Sequence, residues 1–335
     1  MKKQTNLFIA SALITCAAFG SLSSCSKREM EVASDGIAIV ADVKSVDGRL
    51  VFKDFEVFKQ TIDKLKTKSD AELLEWEQSL KFTSLRSSSG EGQEKLKAEF
   101  RFPGAYAAII NSQGEYKIGD KLYWYHAGKK HQFDSVADLE AVQKGRDVPH
   151  VTLAAGYKVV DTKTERASTT KSAARLGHNN SSGSDARYQY QFNLWNDAGS
   201  VRKIVYETHI YTELNSYNYQ YHSILVMDLK LEYKGGNGSW RNAGDLRTVD
   251  AQFSGVASAY TSSTQAQLKS GPISVSLNRQ SNSEASLWLM DCYAFSANVY
   301  NTTDIYWNYT INGRISSWVG SDTGHTYTVQ GNDLW

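Results

Sequence analysis

The sequence predicts an α+β protein. A small N-terminal α+β domain is expected over residues 36–160, followed by an all-β, sandwich-like domain over residues 187–335. Three observations carry this expectation. Apolar residues recur at helical spacing behind capping residues only within the first 160 positions. After Arg187 the period changes to two. Between these regions, residues 161–186 hold almost no large apolar side chain, so they cannot bury much and read as a linker.

Each element follows from local chemistry. In "GIAIVADVKSVDGRLVF", Asp47-Gly48 separates two short extended runs, and Asp-Gly suits a hairpin turn. Phe55, Phe58, Ile62 and Leu65 then fall on one helical face, with Asp54 placed to cap it. Ser69-Asp70-Ala71-Glu72 has the form of a capping box, and Leu73, Trp76 and Leu80 share the face of the helix it opens. The polar link from Leu80 to Phe100, with Ser87-Ser88-Ser89-Gly90 at its centre, reads as a mobile loop. Three β-runs follow, separated by turns at Asn111–Gly114 and Ala127–Lys130. Ser135 then starts a short helix.

Beyond residue 187 the strands announce themselves by alternation. Tyr188, Tyr190, Phe192 and Leu194 form one face, and so do Leu225, Met227, Leu229, Leu231 and Tyr233. Ile305, Trp307, Tyr309 and Ile311 repeat the pattern. Such strands are expected to bury one face and wet the other. Leu287–Met290 is apolar on both faces, as in a central strand. Turns are expected at Asn196–Gly199, Gly235–Gly238 and Asn312-Gly313. Seven or more strands with short turns point to a sandwich or barrel.

Composition narrows the function classes. The net charge is +1 over 335 residues, so neither nucleic acid nor an acidic substrate is indicated. The three cysteines are Cys16, Cys25 and Cys292. Cys16 lies in a leader, and a chain left with two thiols, one of them acylated, has no internal disulfide to rely on.

The N-terminus has three parts: Met1-Lys2-Lys3, an apolar core from Leu7 to Phe19, and small residues leading to Cys25. As a helix the core spans about 20 Å at ~1.5 Å per residue, short of a hydrocarbon layer of ~30 Å. Leu22-Ser23-Ser24-Cys25 resembles the lipobox of bacterial lipoproteins. The resemblance implies cleavage after residue 24, acylation of Cys25, and a polar tether over residues 25–35. Two or more acyl chains hold a protein on a bilayer, whereas one is marginal. Ser26 after the cysteine is compatible with outer-membrane sorting. Lys27-Arg28-Glu29 is mixed in sign, unlike the acidic export patch of surface lipoproteins in Bacteroidetes, so periplasmic and surface orientations both stand. The "F…F" helix, the "WE" segment and "INSQGEYKIGD" resemble the N-terminal region of Bacteroidetes lipoproteins of unknown function, which implies location and lineage rather than activity.

Candidate chemistry is sparse, and no motif calls for a cofactor. His126 and His131 flank a tight turn, but a metal needs further ligands, and Lys129-Lys130 would repel it. Cys292 has no evident base and reads as a buried thiol. Glu207, Asp228, Glu232 and Asp291 lie on expected strands; a pair of them could serve glycoside hydrolysis, while an alternating charged exterior also explains them. Asp291 interrupts an apolar run, so it must be paired or protonated. Asp134-Ser135-Val136 resembles a short O-glycosylation pattern but competes with a helix cap at Ser135. The most suggestive cluster is aromatic. Tyr217, Tyr219 and Tyr221, with Trp240 in a neighbouring turn, could stack on sugar rings or contact a protein.

The sequence thus points to an outer-membrane lipoprotein held in the lipid bilayer through Cys25. Its expected role is non-catalytic binding or adhesion to a glycan or an envelope protein. A glycan hydrolase using paired carboxylates is the alternative.

Overall fold

Long strands dominate the chain because β-branched and aromatic residues alternate over long runs. The computed structural model describes residues 42–159 and, apart from 195–196, 198, 237, 282–284, 298, 300, 321 and 323–326, residues 187–330. The leader over 1–24, Cys25, the tether over 25–35 and the linker over 161–186 lie outside the described residues.

The first sheet is made of β1 (Val43–Val46), β2 (Arg49–Phe52), β3 (Glu115–Ile118), β4 (Lys121–His126), β5 (Lys129–Phe133) and β6 (Val151–Leu153), in that order. Five helices accompany it: α1 (Phe55–Leu65), α2 (Asp70–Ser79), α3 (Glu91–Phe100), α4 (Gly104–Ile109) and α5 (Val136–Gln143). The second sheet has β9 (Val201–Asn215) and β10 (Gln220–Lys234) at its centre. Flanking β9 are β7 (Ala155–Val159) and β8 (Arg187–Asn193); flanking β10 are β11 (Trp240–Asn242) and β14 (Ala285–Phe295). The third sheet runs in the order β13 (Gln267–Ser281), β12 (Arg247–Thr261), β15 (Ile305–Val319), β16 (Tyr327–Gln330).

The local signals explain several boundaries. Asp54 accepts from the Val57 N–H at 2.9 Å and starts α1. Ser69 and Glu72 exchange capping bonds at the head of α2. Ser135 caps α5. Asp47 and Gly48 both adopt positive φ in the β1–β2 turn, as a tight hairpin requires.

The expected α+β class is corrected. Of the described residues, 53% lie in strands and 19% in helix, so the fold is β-rich. Five strands run 15 residues each, whereas the longest helix has 11. Residues Ile39–Trp335 cluster as one unit. Inside it, Phe100, Phe102 and Tyr106 of the helical segment meet Tyr125 of the first sheet and Tyr211 of the second. Each such ring contributes about 1.5–3 kcal/mol by burial, which binds helices and sheets into one core.

Two further expectations differ. The stretch from Leu80 to Phe100 contains α3 rather than only a loop. Its buried residues are just Leu96 and Phe100, too sparse a stripe to show as periodicity. Asn312-Gly313 is not a turn but the middle of β15. Gly313 has φ +131, and a Cβ there would strike the Gln252 carbonyl of β12, so glycine serves close strand approach.

The second and third sheets share one apolar core, built from Leu225, Met227 and Leu229 on one side and Ala251, Trp307 and Ile315 on the other. The opposite face of the second sheet is charged, yet it is not wet. Glu207, His209, Glu213 and Asp228 on that face are all buried. The N-terminal segment covers them, and this cover creates the site described next.

Candidate functional site

A cleft of about 620 Å³ lies between the helical segment and the second sheet. The α1–α2 corner contributes Lys66, Lys68 and Asp70, and the end of α3 contributes Lys97 and Arg101. Small residues of α4, Gly104, Ala105 and Ala107, leave room. The sheets contribute Tyr157, Asp228, Lys230, Glu232, Arg279, Ser286 and Trp288.

Arg101 organises the floor. It closes α3 in the left-handed conformation, φ 46° and ψ 54°, which costs a non-glycine residue about 1–2 kcal/mol. His209 Nε2 donates to the Arg101 carbonyl at 3.0 Å and holds that geometry. The guanidinium is thereby aimed at β9 and β10, where Glu207 and Asp228 are directly paired in register. One nitrogen, Nη2, donates to Glu207 Oε2 at 2.7 Å and to Asp228 Oδ2 at 2.6 Å. Lys230 Nζ stands 3.7 Å from both carboxylates, and His209 Nδ1 lies 3.1 Å from Asp228. Tyr157 packs its ring 5.0 Å from the guanidinium.

The electrostatics follow from this packing. Burial alone would raise the Asp228 carboxyl, but the His209, Lys230 and Arg101 charges outweigh it and hold the group well below the usual range. Burial lowers the Arg101 guanidinium, and the two carboxylates more than restore it, so it stays charged. Two acids paired in register on adjacent strands are the kind of arrangement glycoside hydrolysis uses, but such enzymes need one acid with a raised pKa. Here a cation sits between them.

A second polar chain runs behind Trp288. Tyr106 donates its hydroxyl to His222 Nδ1 at 2.9 Å, and His222 Nε2 donates to Asp291 Oδ2 at 3.1 Å. Burial would raise the Asp291 carboxyl; His222, Lys66 and Lys269 hold it well below the usual range. The Tyr106 hydroxyl is raised by burial first and by Glu213 second, so it stays protonated. Asp291, the acid that interrupts an apolar run, is thus paired and charged.

The aromatic residues expected from sequence are placed apart. Tyr217 and Tyr219 lie in the β9–β10 turn, and Tyr221 opens β10. Tyr219 is 66% exposed, whereas Tyr221 is buried in the core. Tyr217 stacks on Phe55 and donates to the Ile118 carbonyl at 2.5 Å, which makes it a tie to the first sheet. Trp240 pairs with Lys234 at the far end of β10, about 45 Å away at ~3.3 Å per residue. Its ring carries the Lys203 ammonium at 4.3 Å. The structure does not bring Trp240 to the hairpin.

Other candidates are also accounted for. Cys292 is buried, and burial, then the Asp291 charge, pushes its thiol up to about 12. His126 stacks on Trp124 at 4.3 Å, and His131 faces His150 at 5.1 Å. Lys130, expected at the end of a turn, lies in β5, is buried and donates to Glu213 at 2.8 Å. Among the described residues no group of three or more His, Cys, Asp or Glu could hold a metal ion. Sequence reasoning missed Arg101, His209, Arg279 and Trp288. The signal available for Arg101 is its setting in Phe100-Arg101-Phe102-Pro103, a charge between two large apolar residues.

No protein-family model matches the chain, and no curated protein matches it. Among solved structures it is similar to the crystal structure of a DUF4848 family protein from Bacteroides thetaiotaomicron, at 12% identity and a TM-score of 0.21. That alignment covers 86% of this chain and 99% of the other. At that score the likeness decides neither fold nor activity, and the functional reading rests on the residues of the cleft.

Proposed function

We propose that the protein is a lipid-anchored component of the outer membrane, acylated at Cys25, that binds a glycan in the cleft without transforming it. The lipobox resemblance supports the anchor. A concave site of about 620 Å³ falls within the ~300–1,000 Å³ of small-ligand pockets, which favours a short saccharide over a flat protein surface. The observation that carries the non-catalytic reading is Arg101 Nη2, which lies between Glu207 and Asp228 and binds both. Glu207 Oε2 and Asp228 Oδ2 both accept from that one nitrogen, so neither oxygen is free to pass a proton to a glycosidic oxygen.

A glycan array with the purified protein, read together with a reducing-end assay on every bound glycan, tests this. Binding without release of reducing ends is expected. Turnover that disappears in Glu207→Gln or Asp228→Asn would establish the hydrolase instead, and binding to no glycan would remove the reading. Mass spectrometry of the native protein is expected to find an acylated Cys25 at the mature N-terminus; an unmodified thiol with leader residues attached would overturn the anchor.

A further inference from the structure

One wall of the cleft holds a carboxylate between two arginines from distant elements. Asp70, the first residue of α2, has Arg86 Nη1 3.7 Å from one oxygen and Arg279 Nη2 in close contact with the other. Arg86 also donates Nε to Glu77 at 3.0 Å, which fixes its plane. Arg279 arrives from β13, and its side chain is only 13% exposed. Two guanidinium groups thus flank one carboxylate, each with one nitrogen towards it, a pair of positive charges suited to a planar anion. Asp70 shows that this seat accepts a carboxylate.

The neighbouring strand β14 adds a second, independent feature. Ser286 and Trp288 both line the cleft. The Ser286 hydroxyl and the Trp288 indole N–H are buried and have no hydrogen-bond partner among the described residues, a rare state for buried donors. Trp288 is backed by Tyr106, whose ring runs parallel at 6.3 Å. The corner therefore presents a carboxylate seat, two donors that lack acceptors among the described residues, and an indole ring over which the Lys66 ammonium lies at 5.6 Å.

We propose that this corner recognises an acidic saccharide. The ligand carboxylate takes the position of Asp70 between Arg86 and Arg279, and ring oxygens accept from Trp288 and Ser286. A neutral sugar would answer the two donors but leave the arginines bound to Asp70. A simple anion would occupy the arginines but leave the donors unmatched. A polyhydroxylated ring bearing a carboxylate satisfies both. This assignment rests on the cleft being the glycan site, and it makes Asp70 an internal competitor for that site.

The test uses the full chain in detergent, with binding followed by calorimetry and by Trp fluorescence. The probes are short oligogalacturonides, neutral galactan oligomers of matched length, and their sulfated counterparts. Oligogalacturonides are expected to bind at least about tenfold more tightly than neutral oligomers, and less tightly as salt rises. Asp70→Asn is expected to tighten their binding by about tenfold, because the competitor is removed. Arg279→Gln is expected to weaken it by about tenfold or more. Equal binding of neutral oligomers, preference for the sulfated probe, or weaker binding by Asp70→Asn would each overturn the acidic-sugar assignment and leave the cleft as a glycan site. Binding of none of the three would overturn the cleft reading itself. Should Arg279→Gln fail to fold, the sign of the Asp70→Asn effect decides.

Discussion

Replacing Arg101 by glycine separates two effects that the structure superimposes at this residue. Glycine relieves the left-handed backbone cost of about 1 kcal/mol. It also strips the guanidinium from Glu207 and Asp228, whose side chains are only 9% and 4% exposed. Removing one partner of a buried ion pair costs about 3–5 kcal/mol. Lys230 and His209 remain near Asp228 and reduce the loss. The net destabilisation of Arg101→Gly should therefore be about 2–4 kcal/mol at pH 7, and Arg101→Ala should lose about 1 kcal/mol more. Urea unfolding followed by Trp fluorescence measures both. The pH dependence has a definite sign. Asp228 has a folded pKa below its unfolded value, so its contribution is full above about pH 4 and is lost as pH falls through the folded pKa. In the variant Asp228 has lost one of its cations and protonates more readily, so the gap between wild type and Arg101→Gly should narrow below about pH 4. A cost under about 1 kcal/mol, or a gap that widens on acidification, would refute the view that the guanidinium neutralises the pair.

Three further outcomes are expected. Lys130→Met should destabilise by about 3–5 kcal/mol because it leaves the buried Glu213 carboxylate without a cation, held only by the Tyr125 and Tyr211 hydroxyls; adding Glu213→Gln should recover part of that loss in the same unfolding assay. Cys292 should resist iodoacetamide at pH 8 in the native protein and react in urea, since its thiol is buried with a pKa of about 12; native-state labelling would show that β14 opens. Gly313→Ala should lower the thermal midpoint by about 3 °C or more for a loss of about 2 kcal/mol or greater, because the added methyl meets the β12 backbone; an unchanged midpoint would mean the strands can part without cost.

What the sequence revealed and what it hid divide along one physical line. Caps and alternation are local, so Asp54, Ser69 and Ser135 marked helix starts, and the faces of β8, β10 and β15 could be read directly. The function of a strand face is not local. Asp228, Lys230 and Glu232 have the spacing of a wet exterior, yet Asp228 is 3% exposed because helices supplied by residues 55–109 cover it. Its cation, Arg101, lies 127 residues away in the chain, and that of Glu207 lies 106 away, so no window of sequence contains both halves of either pair. The same covering overturned the α+β expectation. Helices that look like a separate module serve as the lid of a β-sheet, because a sheet face bearing buried carboxylates needs partners that can deliver cations to it. Arg101 at the end of α3 does this for Asp228, and Lys130 of β5 does it for Glu213. Once a charged face is enclosed in this way, every buried donor on it needs an acceptor. The Trp288 N–H and the Ser286 hydroxyl have none among the described residues, and that shortfall is what the proposed ligand would make good.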